Sequence, residues 1–323
     1  MIVAGIDEAG YGPLLGPLVV GCCAFDLGPI DDQQPIPCLW KRLSRLVSKN
    51  RLASGRKLHV NDSKLVYSSS TGLKELERSI LAVLGAFSEM PEDLAGLLRR
   101  TAGHVLEELP NYPWYGTAGI ESFPIEQPAL PIQLFANALR MEMQRSQTRC
   151  VYLSARIVLE RRLNHLIRAT RNKATVLFST TAIHLDHLLK THGHGPMTIF
   201  CDRQGGREHY GALLRLMFDE WSLEVLREQD GHSDYRLKNG TNSVRIIFRE
   251  KAETHCMAVA LASMLSKYLR EALMRRFNSF WARHLPEVAP TAGYYGDGAR
   301  FLRDIEPTRR QLGIADEELI RSR

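Results

Sequence analysis

Two carboxylates stand side by side near the N-terminus. Asp7 and Glu8 follow an apolar run, Ile2 to Ile6, whose β-branched character fits a buried strand. Three glycines and two prolines (Gly10, Gly12, Pro13, Gly16, Pro17) lead into a second apolar run, Leu18 to Phe25. The pattern predicts a strand, a glycine-rich turn and a second strand. Charges at the end of a buried strand are costly unless something compensates them. A hard divalent cation with oxygen ligands is one compensation; local hydrogen bonds within the turn are the other. Further on, Val60-Asn61-Asp62-Ser63-Lys64-Leu65 offers Ser63 and Lys64 as a donor and a cation for phosphate, with Asn61 and Asp62 shaping the turn.

The rest of the chain must position these groups. Its 323 residues are enough for a large core, and 44% apolar with 24% charged is ordinary for a globular protein. No apolar run approaches the roughly 18 residues of a membrane span. The chain enters its first strand at once, which leaves no room for a signal peptide. The six cysteines contain no C-x-x-C pair and read as small buried residues in a reducing, cytoplasmic compartment. A formal charge of +6 permits a polyanionic partner. The basic stretch from 39 to 58 is either a solvated face or a surface for phosphates.

Ser70 or Thr71 is the expected cap of a helix whose apolar residues run from Leu73 to Phe87. Residues 91 to 147 read as an insertion. Five of the chain's 15 prolines lie between 110 and 131, with Tyr112, Trp114, Tyr115 and Phe123. Such a stretch resists helix and sheet, and its aromatics either pack on the domain or stack on bases. A basic amphipathic segment closes it near Leu134 to Met143. A strand is expected over 150–158, with helices to about Lys190. His184, His187, His192 and His194 lack the partner spacing of a zinc site and read as a helix face and its end. Met197 to Asp202 is a strand ending in an acid, with Arg203 and Arg207 around a Gly-Gly turn suited to a phosphate backbone. Short strands near 223–227 and 235–237 precede an Asn239-Gly240 hairpin into Ser243 to Phe248.

Gly5-Ile6-Asp7-Glu8-Ala9-Gly10-Tyr11-Gly12-Pro13, with Gly16-Pro17 after it, resembles the opening motif of the type 2 ribonucleases H, the ribonuclease HII and HIII family. Four further segments resemble that family in its order: Asp62-Ser63-Lys64, the strand ending at Asp202, Lys251-Ala252-Glu253 before an alanine- and serine-rich helix, and Gly293-Tyr294. Together they cover most of residues 1–90 and 195–305. The resemblance implies an α/β, ribonuclease H-like fold with a mixed five-stranded sheet flanked by helices. It would form a catalytic domain over 1–275, interrupted by the insertion, with a C-terminal helical segment over 276–323 packed on it.

The resemblance also implies roles. Asp7, Glu8, Asp202 and Glu253 become the catalytic and metal-binding acids, with Glu253 expected in the first turn of its helix, where the dipole favours an anion. Glu271, about five helical turns or roughly 27 Å further on, is left to a structural ion pair. Four such acids suit Mg2+ or Mn2+ in a two-metal phosphodiesterase, the ions about 3.5–4 Å apart. Gly10, Tyr11, Gly12, Asn61, Ser63, Lys64, Arg203, Arg207 and Tyr294 become nucleic-acid contacts, Tyr294 stacking on a sugar. The implied activity is cleavage of the RNA strand of RNA–DNA hybrids, leaving 5′-phosphate and 3′-hydroxyl ends, by a monomer. The alternatives are a nuclease for structured DNA on the same fold and a catalytically silent nucleic-acid binder. Two departures stand out. Tyr11 occupies the place of an arginine that reads the RNA–DNA junction in ribonuclease HII, which puts single embedded ribonucleotides in question. No separate N-terminal domain precedes the motif, as one does in ribonuclease HIII.

Overall fold

The computed structural model describes residues 1–30, 35–68, 70–116 and 122–322. Its strands are β1 (Ile2–Ala9), β2 (Leu18–Asp26), β3 (Val47–Ser48), β4 (Leu58–His59), β5 (Arg149–Val158), β6 (Met197–Asp202), β7 (Ser222–Gln229), β8 (His232–Asn239) and β9 (Asn242–Arg249). The helices are α1 (Leu39–Arg42), α2 (Ser63–Val66), α3 (Lys74–Phe87), α4 (Leu94–Ala102), α5 (Ala129–Arg145), α6 (Glu160–Thr170), α7 (Lys173–His192), α8 (Gly211–Met217), α9 (Met257–His284), α10 (Tyr295–Gln311) and α11 (Asp316–Leu319).

The fold is mixed α/β. The main sheet runs β5-β2-β1-β6-β9-β8-β7, seven strands rather than the expected five, because β7 and β8 extend it beyond β9. The centre, β1-β6-β9, is parallel, and both flanks are antiparallel. β3 and β4 form a small separate pair.

Side chains alternate across a strand, so each central strand feeds two cores. Val3, Val19, Cys23 and Phe25 join the core under α9, α3 and the insertion, while Ala4, Ile6, Val20 and Cys22 join the one under α6, α7 and α8. α9 lies directly on the sheet. A Cβ at Gly5 would sit 2.1 Å from the Val259 backbone nitrogen, and one at Gly21 would sit 2.5 Å from the Ala262 carbonyl oxygen. Close approach therefore needs glycine on the strands as well as alanine and serine on the helix. Gly5→Ala would displace α9 and, with it, the acids on the same face.

Other expectations change on inspection. α9 runs unbroken through residue 275, so the boundary expected there falls inside a helix. The insertion holds two helices, α4 and α5, and its aromatics pack: Trp114 and Tyr115 are fully buried, and Trp114 lies edge-on to Phe277. α3 begins at Lys74, and neither Ser70 nor Thr71 caps it. The Glu126 carboxylate from the insertion accepts the Leu73 N–H at 2.7 Å instead. A local cap is legible in sequence, whereas one supplied from 53 residues away is not.

Candidate metal and nucleic-acid site

β1 and β6 are parallel neighbours with Ile6 opposite Cys201. One step further along each strand lie Asp7 and Asp202, on the face that carries α9. Alternation fixes that: Val3 and Gly5 on β1, and Phe200 on β6, share the same side. β1 continues through both acids to Ala9, so they sit within the strand rather than in the turn after it. The third element is the tight turn Ala252–Thr254, a 3-10 helix that brings Glu253 in just before α9 begins. Glu253 is thus outside the first α-helical turn, and Lys251 before it takes a left-handed backbone at φ 55°. The Ala252 N–H donates to Asp202 Oδ1 at 3.1 Å, tying that turn to the end of β6.

The four acids feel one another. Burial, then the Glu8 and Asp202 charges, push the Asp7 pKa well up. Burial and Asp202 raise Glu8 to about 7. Burial, with Asp202 and Asp62 nearby, raises Glu253 to about 7. Asp202 is also raised, chiefly by burial, against the hydrogen bonds it accepts and a carboxyl–carboxyl contact with Glu253. Lys64 is the cation whose charge reaches Glu8, Asp202 and Glu253. Carboxyls raised in this way lack positive charge, the condition in which a buried acid keeps its proton.

An all-oxygen donor set of this kind suits a hard divalent cation. Among the described residues, no three His, Cys, Asp or Glu side chains already converge into a metal cage. The donors fit in kind, and what draws them together is the charge they lack.

The Asp62-Ser63-Lys64 segment meets the acids from the side. Asp62 caps α2 by accepting the Lys64 N–H at 2.9 Å. Ser63 turns inward: Ser263 Oγ donates to Ser63 Oγ at 3.0 Å, and Ser263 also contacts the Asp7 carboxyl. Ser266 Oγ donates to the Asp7 carbonyl at 3.1 Å. The small polar residues of α9 therefore serve the site directly. Asn61 Nδ2 donates to the Lys49 carbonyl at 3.0 Å and holds the turn. Lys49 in turn donates to the Thr254 carbonyl at 2.6 Å, so part of the basic stretch braces the Glu253 turn.

Of the other expected contacts, Arg207 comes near Tyr11, together with two groups that were not expected. Lys173 lies over its ring at 5.3 Å, Arg207 acts on its hydroxyl electrostatically, and Gly205 faces the ring edge. Gly12 is open on its Cβ side. Arg203 is taken up by Glu250 at 3.2 Å and Glu208 at 3.6 Å. Tyr294, half exposed, lies against the Arg270 guanidinium at 5.6 Å. Glu271 is ion-paired with Lys267 at 2.8 Å and accepts from Tyr67 at 3.0 Å, away from the acid cluster.

Solved structures that this chain resembles include several ribonucleases H. It matches ribonuclease HII of Archaeoglobus fulgidus, from a complex with PCNA, at 16% identity and TM-score 0.43, over 100% of this chain and 95% of that one. It matches ribonuclease H2 of Pyrococcus horikoshii at 13% and 0.43, over 99% and 92%. For ribonuclease H3 of Aquifex aeolicus the figures are 12% and 0.41, over 98% and 70%. No protein-family profile and no curated protein matches the chain. No helix among the described residues is long and apolar enough to cross a membrane.

Four residues of the site escaped the sequence reading. Lys173 starts α7 in a stretch that reads only as a basic helix. Ser263 reads as a packing residue and Ser266 only as part of the alanine- and serine-rich helix, although their three-residue spacing puts both on one helix face. Arg321 lies 310 residues from the Tyr11 carbonyl it holds, and nothing local signals that contact.

Proposed function

We propose that this protein is a divalent-metal-dependent endonuclease that cuts the RNA strand of RNA–DNA hybrids. The observation that carries the proposal is the set of four carboxyls, Asp7 and Glu8 near the end of β1, Asp202 at the end of β6 and Glu253 in the turn before α9, all with raised pKa values. Like-charged groups brought together without compensation cost stability, and such sites serve function more often than structure. The same four acids would hold the ions. Bound there, divalent ions supply Lewis acidity to an attacking water and to a leaving 3′ oxygen.

The chain's own residues do the rest. Asp202 and Glu253 are held relative to one another by the Ala252 N–H. Ser263 and Ser266 fix Asp7 from the α9 side. Lys64 beside the acids, and Lys173 and Arg207 beside Tyr11, supply the positive charge that phosphates require. Tyr11 offers an aromatic edge where a junction-reading arginine would sit. A 2′-hydroxyl contact is what would separate RNA from DNA at the site. Long hybrids are therefore the favoured substrate over single embedded ribonucleotides.

The test is cleavage of three labelled duplexes in Mg2+ and in Mn2+: a long hybrid, a duplex with one ribonucleotide, and all-DNA. The long hybrid should be cut, leaving 5′-phosphate ends, and Asp202→Asn should abolish cutting while hybrid binding survives. Undiminished cutting by Asp202→Asn overturns the assignment. Cutting of DNA junctions in preference to hybrids moves the protein to the structured-DNA alternative.

A further inference from the structure

Beneath the glycine-rich loop lie two buried arginines that the proposed chemistry does not use. Arg321, near the end of the chain, is 2% exposed and Arg270, on α9, is 0% exposed. The Arg321 guanidinium donates to the Gly10 carbonyl, to the Tyr11 carbonyl at 3.1 Å and to the Gly16 carbonyl at 3.3 Å. Its backbone N–H donates to the Leu14 carbonyl at 2.9 Å. Arg270 donates to the Leu15 carbonyl at 3.3 Å and to the Ala292 carbonyl at 2.9 Å, beside Tyr294. The inner side of residues 10–16 is thus held almost carbonyl by carbonyl, while the outer side at Gly12 is open.

Holding a loop this way is expensive. The two guanidiniums repel one another, each keeps a buried Nε without a partner, and burial with that repulsion lowers the Arg321 pKa to about 10. Arg270 is paired with Glu271 at 3.3 Å, and Glu160, fully buried and accepting from the Tyr115 hydroxyl of the insertion at 2.8 Å, is the acid whose charge reaches Arg321. Apolar side chains of the same volume commonly replace buried charges with no loss of stability. What they cannot do is join three separate carbonyls through one rigid planar fork. The positive φ at Gly10 (82°) and Gly16 (83°) puts the loop in a backbone shape that needs such restraint.

We propose that Arg321, seated against Arg270, is a positioning residue: it fixes the Gly10-Tyr11-Gly12 segment so that its outer side is presented to the nucleic-acid backbone. The C-terminal segment then completes the site, and the insertion takes part through Tyr115 and Glu160. This rests on the nuclease reading for its consequence in binding but not for the clamp itself.

The experiment compares full-length wild type with Arg321→Met and Arg321→Lys. Amide hydrogen exchange across residues 10–17 and β6 is measured together with KM and kcat on the long hybrid. In Arg321→Met, exchange in residues 10–17 should speed up and KM rise on the order of tenfold, as for loss of one charge-assisted hydrogen bond. Exchange in β6 and kcat should change less than about threefold, within one weak hydrogen bond. Arg321→Lys, which keeps the charge without the fork, should fall between, and it carries the test if the methionine variant does not fold. Unchanged exchange in residues 10–17, or equal acceleration in β6, overturns the clamp. A wild type that cuts no hybrid removes the nuclease reading and leaves the exchange result to decide the clamp alone.

Discussion

Two groups of buried carboxyls in this molecule are treated in opposite ways. Glu77, on α3, is fully buried and surrounded by donors: the backbone N–H groups of Ile125, Glu126 and Gln127 and the hydroxyl of Tyr268, the last three at 2.8 Å. It fastens the insertion to α3 and α9. The four acids at the ends of β1 and β6 and before α9 have few donors, each other for neighbours, and Lys64 as the cation in reach. A carboxyl placed for structure is supplied with hydrogen bonds where it sits. On the proposed reading the four acids are placed for chemistry instead, left short of positive charge that a ligand would bring.

The sharpest way to break this contrast is to remove the satisfied carboxyl. Glu77→Ala leaves several buried donors without an acceptor and should cost about 3–5 kcal/mol, as loss of one partner from a buried charged network does. Urea unfolding measures it, and Glu77→Gln should recover part of the loss. A cost below about 1 kcal/mol, the size of one net hydrogen bond, would mean that Glu77 is not the fastening.

The unsatisfied group should respond with the opposite sign. Glu253 is raised to about 7 by burial and by the Asp202 and Asp62 charges, against about 4.3 for an unfolded glutamate. The folded state holds that proton more tightly. Stability with chelator present should therefore fall as pH climbs from about 4.3, and level off above about 7. Glu253→Gln removes its own share of this slope, leaving that of Asp7, Glu8 and Asp202, and should stabilise the protein by about 1–3 kcal/mol at pH 8 and by nothing at pH 4. Mn2+ added to the wild type at pH 8 should recover a similar amount. A destabilised Glu253→Gln at pH 8 would place Glu253 with Glu77 as a structural group.

This contrast also separates what the sequence disclosed from what it concealed. Asp7, Glu8 and Asp202 stood out in the sequence as acids at the end of apolar, β-branched runs, although β1 continues past Asp7 and Glu8 to Ala9. Ser63 and Lys64 were legible as polar groups in a turn, although Ser63 proved to face inward. The seven-stranded sheet was legible strand by strand, but its joining across β9 depends on pairing between residues far apart. Glu77, Glu126, Ser263 and Arg321 were not legible, since each acts on groups 48 or more residues away. Long-range satisfaction of backbone donors in the insertion and of backbone acceptors by the tail leaves no local pattern, and it is what holds both in place.

The smallest effect should come from Lys64, and its smallness is informative. Lys64 is exposed, and an exposed charge near a cluster is screened by water and salt. Lys64→Met should change stability by no more than about 0.5 kcal/mol. It should weaken binding to a hybrid a few-fold at about 0.1 M salt and lower the salt slope of binding by about one, as for a single phosphate contact. Urea unfolding and a salt titration of binding measure the two. If instead Lys64→Met costs 2 kcal/mol or more, well beyond an exposed pair, the lysine is an internal counter-ion to the acids. The site would then carry its own compensation, and the distinction between satisfied Glu77 and four acids awaiting a cation would fail.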